Sequence, residues 1–408
     1  MPNTSSTPPS YQLQTAEIEW LDDDIPQAKH FNDIYFSKLQ GLDETRYVFL
    51  QHNQLEQRWQ QLTPEQTFTI AETGFGSGLN FLAAWQLWQR TAPLHARLQF
   101  VSVEKYPLKK SDLIRVLAVW DELKPFAEQL IDHYPTLTAG QHLIDFPDSN
   151  VSLLLIFDDA IAGLEQLRCS ELNDYRDHHP YHIDAWFLDG FTPTRNPQLW
   201  NDTLYAIIAD LSGESTSLAT FTASSAVRHG LGQQGFHIQK APGFGTKREM
   251  LTGRFDPQLP RQAPTSSDNR KSNQAPWYLS KHPKTSAQHI TIIGGGLAGS
   301  SSAYAMAKRG WQVTLIERQP ALAQGASGNP QGMLYTKLSP QRSTLNEFYL
   351  SSYLYALRFY QQWQQRHHIN SQQLDFCGVM QLANSAAELK LMTQLSQAFD
   401  QTPNLYNF

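Results

Sequence analysis

A chain of 408 residues, 40% of them hydrophobic and 17% charged, is long enough for two or three domains with cores of their own. A formal net charge of −6 argues against a uniformly basic nucleic-acid binder, although a local basic face is all that such binding needs. No apolar stretch approaches the ~18 residues of a membrane span. The two cysteines, Cys169 and Cys377, form no CxxC pair, which speaks against a disulfide framework or a metal site and fits a reducing cytoplasm.

The N-terminus, MPNTSSTPPS, lacks the basic-then-apolar pattern of a secretory signal, and residues 1–15 read as a disordered tail. The segment up to residue 66 reads as an accessory layer. From there apolar strands alternate with helical stretches. Strands are expected at Thr67–Ala71, Leu98–Glu104, Val151–Phe157, Ala185–Leu188 and Ser217–Thr222, with helices over Leu79–Arg90 and from near Ala226, and a closing pair up to residue 255. This pattern predicts a doubly wound, Rossmann-like α/β domain over residues 16–254.

Residues 255–288 are rich in Pro, Ser, Gln and Asn without periodicity and read as a linker. The stretch from Lys240 to Ile290 carries nine Lys/Arg against three Asp/Glu, the most basic region of the chain. It is a candidate nucleic-acid contact and equally a solvated linker. A second strand–loop–helix–strand unit runs from His289 to Glu317 and opens a further domain, 289–408. Beyond it Leu345, Phe348, Tyr353, Leu357 and Tyr360 recur at helical spacing, a stripe that reads as core.

The two domains each carry a glycine-rich loop, and the loops differ chemically. In the first, Glu72-Thr73-Gly74-Phe75-Gly76-Ser77-Gly78, the glycines Gly74, Gly76 and Gly78 follow a G-x-G-x-G spacing rather than the G-x-G-x-x-G of dinucleotide folds. S-Adenosylmethionine has no phosphate; it needs close backbone approach and carboxylates for its ribose hydroxyls and ammonium. Glu104, ending the second strand, is placed for the ribose diol. Asp159, after the third, is placed at the adenine edge, and Asp189 faces the reacting methyl, since ligands of such sheets bind beyond the carboxyl ends of the strands. A single strand-end Asp is as readily a turn or N-cap residue; three such acids in order behind a glycine loop point to a methyltransferase.

The second loop, Gly294-Gly295-Gly296-Leu297-Ala298-Gly299, lies between a strand and a helix, with Glu317 ending the next strand 23 residues after Gly294. This is the context of a dinucleotide site: Gly294 for the tight turn, Gly296 for the approach of the pyrophosphate, Gly299 for helix packing, Glu317 for the ribose. The fingerprint alone does not separate NAD from FAD.

Several stretches resemble the MnmC family of bifunctional tRNA wobble-uridine modification enzymes: 25-IPQAKHFNDIYFS-37, 41-GLDETRYVFLQHNQLEQRW-59, 72-ETGFGSGLNFLAAW-85, 102-SVEKYPL-108, 184-DAWFLDGFTPTRNPQLW-200 and 243-GFGTKREM-250. The stretch 325-GASGNPQGMLY-335, with Ser327, resembles the flavin-contacting loop of amino-acid-oxidase-like flavoproteins. The resemblance implies two activities. An FAD-dependent half converts 5-carboxymethylaminomethyl-uridine (2-thiolated or not) to 5-aminomethyl-uridine, and an S-adenosylmethionine-dependent half methylates the amine. It makes tRNA the partner. A primary amine is mostly ammonium at neutral pH, a carboxylate can accept its proton or a hydrogen bond, and Asp189 is the candidate for that role.

A target base drawn from the anticodon loop is usually held by aromatic rings. Tyr35, Phe75 and Phe191 are candidates for that role, with core or pocket wall as the alternative for each; Lys247 and Arg248 are candidate phosphate contacts. His30 reads as structural. Only one βαβ unit follows the linker, so the flavin domain is expected to be partial. Three other readings stay open: an amine oxidase with a non-catalytic first half, a tRNA-binding protein without activity, and a methyltransferase of small amines.

Overall fold

The structure, a computed structural model, describes residues 11–21, 25–29, 33–34, 40–64, 66–168, 182–262, 288–400, 402, 405 and 406. Strands β1 (Ile18–Leu21), β2 (Ile25–Ala28) and β3 (Asp33–Ile34) form a small antiparallel sheet. Helix α1 (Gly41–Thr45), a π-helical turn (Arg46–Gln51) and α2 (Leu55–Gln60) follow. Then come β4 (Thr67–Glu72), α3 (Leu79–Thr91), β5 (Arg97–Val103), α4 (Lys110–Leu117), α5 (Lys124–His133), β6 (Gly140–Phe146) and β7 (Val151–Phe157). The unit continues through α6 (Ala160–Glu165), β8 (Ile183–Phe187), α7 (Asp202–Asp210), β9 (Ser212–Thr220), α8 (Ser225–Gln233), β10 (Phe236–Pro242) and β11 (Glu249–Phe255).

Eight of these strands form one sheet in the order β10-β11-β9-β8-β4-β5-β7-β6. The five central strands are parallel; β6 on one edge and the β10–β11 hairpin on the other are antiparallel. Helices cover both faces, so β4 and β7 are buried almost throughout, as continuous apolar runs such as VSLLLIF require. From β4 the chain winds first toward β5 and β7 and later returns to lay β8 and β9 on the other side. The carboxyl ends of β4 and β8 therefore flank the switch point, where such sheets hold ligands. Trp85, Phe81, Phe100 and Phe146 pack together beneath α3, with the Trp85 and Phe146 rings 4.2 Å apart.

Two expectations about the N-terminal region need correction. Residues 11–15 are not tail: Tyr11 is buried, stacks on Phe399 at 5.1 Å, and its carbonyl accepts from the Ala139 N–H. An aromatic anchor holds them. Nor is all of the segment before residue 66 an accessory layer: β1–β3 form a sheet of their own, but the residues from Leu42 to Trp59 join the main core. Phe49 stacks on Phe187, Leu55 and Trp59 are fully buried, and the Arg58 guanidinium donates to the Asp184 carbonyl and to Ser217. The π-helical turn is part of the main core.

The second unit is smaller. Strands β12 (His289–Ile293) and β13 (Gln312–Ile316) pair in parallel around α9 (Leu297–Lys308), followed by α10 (Thr344–His367) and α11 (Ala386–Ala398). Both strands alternate exposed and half-buried residues, and α9 has no buried residue. Helix α10 lies instead along the edge strand β6. Ser351 donates to the Gln141 carbonyl (2.6 Å), Arg358 to the Leu143 carbonyl (2.9 Å) and Tyr355 to the Asp145 carboxylate (3.1 Å). These three sit at i, i+4 and i+7, one face of a helix, and they cover an edge that would otherwise offer unpaired carbonyls.

The stripe read as core is corrected here. Leu345 and Phe348 are 61% and 65% exposed, and the buried residues of α10 are Leu350 and Leu354, packed with Tyr11, Leu395 and Phe399. The helix docks by a mixed face, with Leu350 and Leu354 beside the polar Ser351, Tyr355 and Arg358, and of the expected stripe Tyr353 packs against this cluster while Leu345 and Phe348 do not. Among the described residues no helix is long and apolar enough to cross a membrane.

Candidate active site

Four acids end four neighbouring strands: Asp189 after β8, Glu72 on β4, Glu104 after β5 and Asp159 after β7. Asp189, Glu104 and Asp159 line one cavity of about 580 Å³, with the first glycine loop as its floor. The loop is drawn tight against the sheet. The Thr73 hydroxyl donates to the Asp189 carbonyl at 2.6 Å, and the Thr73 N–H to the Phe187 carbonyl. At Gly74 a Cβ would stand 3.5 Å from that Asp189 carbonyl, on the cavity side. Gly78 has φ +75°, and a Cβ there would come within 2.7 Å of the Phe75 ring.

Glu104 holds this loop from the other side, its carboxylate accepting from the Gly76 N–H (2.8 Å) and the Tyr106 N–H (2.7 Å). Burial raises its pKa, and those backbone donors oppose the rise. It faces the cavity with lone pairs left for a ribose diol, since each carboxylate oxygen accepts more than once. Asp159 is the N-cap of α6, accepting from the Ile161 N–H, and pairs with Lys105 at 3.1 Å. It lines the cavity as expected.

Sequence reading missed the residue that joins the other two acids. Asn80, the second residue of α3, donates from its amide to Glu72 Oε1 and to Asp189 Oδ2, each at 2.7 Å, while its carbonyl accepts from Thr45 at 2.8 Å. Ser102 donates to the second Glu72 oxygen at 2.7 Å. Glu72 is fully buried, and its pKa is pushed well above the usual carboxylate range, first by that burial and next by the charge of Asp189. Asp189 is raised to about 6, chiefly by burial, against hydrogen bonds from Gly190 and Asn80 that lower it. The signal for Asn80 was there: a lone amide in LNFLAAW, on a helix whose first seven residues are all buried.

Of the residues expected at a substrate, Phe191 lines the cavity half-buried, whereas the Phe75 ring is buried in the core under Gly78. The geometry favours Phe191 and makes Phe75 wall. Tyr35 and His30 lie outside the described residues, as does most of the basic linker. Lys247 lines the cavity and pairs with Glu44 at 2.7 Å; Arg248 is exposed on the same turn, beyond the lining. Among the described residues no three His, Cys, Asp or Glu side chains are grouped to hold a metal ion.

At the second loop, Glu317 accepts from the Gly295 N–H at 2.7 Å, and with the Gln319 N–H this bond lowers its pKa. A Cβ on Gly299 would fall 1.8 Å from the Gly294 carbonyl, so helix and turn pack as closely as the fingerprint demands. The Ser327 hydroxyl accepts from the Leu297 N–H at the start of α9, the place where a pyrophosphate binds such a helix. These residues fit the adenosine-diphosphate half of a dinucleotide.

Residues 121–256 match a family described as S-adenosyl-L-methionine-dependent methyltransferase, and residues 289–405 one described as FAD dependent oxidoreductase. The tRNA 5-methylaminomethyl-2-thiouridine biosynthesis bifunctional protein MnmC of Chromobacterium violaceum is 45% identical over 94% of this chain and 54% of its own length. That of Methylobacillus flagellatus is 42% identical over 97% and 54%. The crystal structure of MNMC2 from Aquifex Aeolicus superposes with a TM-score of 0.46 at 19% identity, covering 62% of this chain and 75% of that one. The chain spans about half the length of the curated relatives it matches. Both domain families stand in the expected order, a methyltransferase followed by an FAD-dependent oxidoreductase, and the chain is similar to the MnmC proteins over about half of their length.

Proposed function

We propose that residues 16–254 methylate the primary amine of a 5-aminomethyl-uridine at the wobble position of tRNA. Residues 289–408 supply the adenosine-diphosphate site of the FAD-dependent activity that removes the carboxymethyl group beforehand. One observation carries the first part: three strand-end acids on a single cavity at the switch point of the sheet, with the G-x-G-x-G loop beneath them. The nucleic-acid substrate comes from the relatives, whose name specifies tRNA 5-methylaminomethyl-2-thiouridine biosynthesis.

S-Adenosylmethionine, when bound, supplies an electrophilic methyl on a sulfonium, and Glu104 and the Gly74–Gly78 turn hold its nucleoside. The residues of the chain then have two tasks. They align the amine with the methyl for in-line displacement, where positioning accounts for much of the rate, and they take its proton. A primary amine is mostly ammonium at neutral pH. Asp189, with its pKa near 6, is ionised there and stands where it accepts that proton. The N–C bond forms as the S–C bond breaks, and the proton leaves on the carboxylate. Phe191 at the wall is the ring on which the extruded base stacks. In the second unit, FAD when bound accepts hydride; Glu317, Gly294, Gly296, Gly299 and Ser327 orient its adenosine end.

The test is methyl transfer from labelled S-adenosylmethionine to tRNA from cells lacking the modification, followed by digestion and mass analysis of the wobble nucleoside. Label on 5-aminomethyl-uridine supports the reading. Label on no tRNA, with transfer to small amines, refutes it.

A further inference from the structure

The mouth of the cavity carries an ion pair that the chemistry above leaves unused. Glu44, in the first turn of α1, accepts from Lys247 on the β10–β11 turn at 2.7 Å, and the Lys247 ammonium also rests 4.7 Å from the Phe221 ring centre. Both residues line the cavity that Asp189 closes, and the two charges act on Asp189 in opposite senses. The lysine side chain is 46% exposed and the glutamate 29%. Such half-open pairs contribute little to stability and exchange partners readily.

The proposed substrate brings partners for both ends. Its phosphates compete for the lysine, and its ammonium competes for the glutamate. A uridine still carrying carboxymethylaminomethyl brings a carboxylate instead, and in this cavity it meets Glu44, Asp189 and Glu104 together. Juxtaposed like charges are how sites exclude near-cognate ligands.

We propose that Glu44 is the specificity-determining residue of the methyl-transfer site. A nucleic-acid phosphate draws Lys247 away, and the freed Glu44 carboxylate holds the primary ammonium while repelling uridines whose side group ends in a carboxylate. This rests on the amine-methyltransferase reading of the cavity.

The experiment uses the full chain and two tRNAs, one with 5-aminomethyl-uridine as substrate and one with 5-carboxymethylaminomethyl-uridine as competitive inhibitor. The readout is the inhibitor's Ki divided by the substrate's KM. Glu44→Gln keeps the shape and removes the charge, and the ratio is expected to fall about tenfold or more, the loss expected for one well-placed charge, with KM moving more than kcat. Glu44→Asp retains most of the ratio. Lys247→Met keeps the ratio and lowers the salt slope of tRNA binding by about one phosphate contact. These two variants keep the idea testable should Glu44→Gln misfold, since a ratio lost in Glu44→Asp or Lys247→Met also overturns it. Transfer by the unaltered chain with an unchanged ratio in Glu44→Gln overturns this inference alone. No transfer by the unaltered chain removes the methyltransferase reading and this inference with it.

Discussion

Asn80→Ala should unfasten the site and move its pH profile at once. One amide donates to two carboxyls, Glu72 and Asp189, each at 2.7 Å. A hydrogen bond to a charged group contributes about 1.5–3 kcal/mol, and a buried partner left behind bears its own desolvation cost. Water entering from the cavity relieves Asp189 in part but cannot reach Glu72, so the net loss is about 2–4 kcal/mol in denaturant unfolding. Asn80 also lowers the Asp189 pKa from the value that burial alone would set. Without it the carboxylate protonates at higher pH, so the acid limb of methyl transfer, expected near pH 6 in the unaltered chain, moves upward. The assay pairs chemical denaturation with label transfer across pH 5–8. An unchanged midpoint together with an unmoved limb would refute the shared amide.

Three further outcomes follow from the same geometry. Asp189→Asn should lower kcat about 10²–10⁴-fold. In the unaltered chain the raised Asp189 pKa means that the folded state holds an extra proton between the ordinary carboxylate range and about 6. Stability from this group is thus full below pH 4 and lost as pH rises through 6, by about 3 kcal/mol; the variant should lack that decline in pH-dependent unfolding. Gly78→Ala places a Cβ against the Phe75 ring at positive φ, and should cost about 2 kcal/mol and weaken S-adenosylhomocysteine binding measured by calorimetry. Arg358→Ala removes a donor from the β6 edge and should cost about 1–3 kcal/mol, with faster amide exchange along Gly140–Phe146.

The strands with continuous apolar runs could be read directly: Val151–Phe157 has the expected bounds, and Thr67–Ala71 falls one residue short of β4. The carboxyl-end acids were legible for the same reason, because a charged residue closing a buried run must lie where the sheet meets solvent or ligand. Strand β6, GQHLIDF, escaped because its buried face includes Gly140 and His142, whose Nε2 bonds the Thr138 carbonyl. The shared amide of Asn80 and the Glu44–Lys247 pair escaped for another cause. They depend on contacts between positions 109 and 203 residues apart, which no local pattern reports. The stripe on α10 misled because apolar spacing identifies a helix but not which of its faces finds a partner.

The most direct test of the site is a crystal structure with bound S-adenosylhomocysteine. The nucleoside is expected in the cavity above Gly74–Gly78, with the ribose hydroxyls on Glu104 and the sulfur turned toward Asp189 and Phe191. A ligand bound elsewhere, or one whose sulfur faces away from Asp189, would contradict the assignment of that carboxylate to the amine.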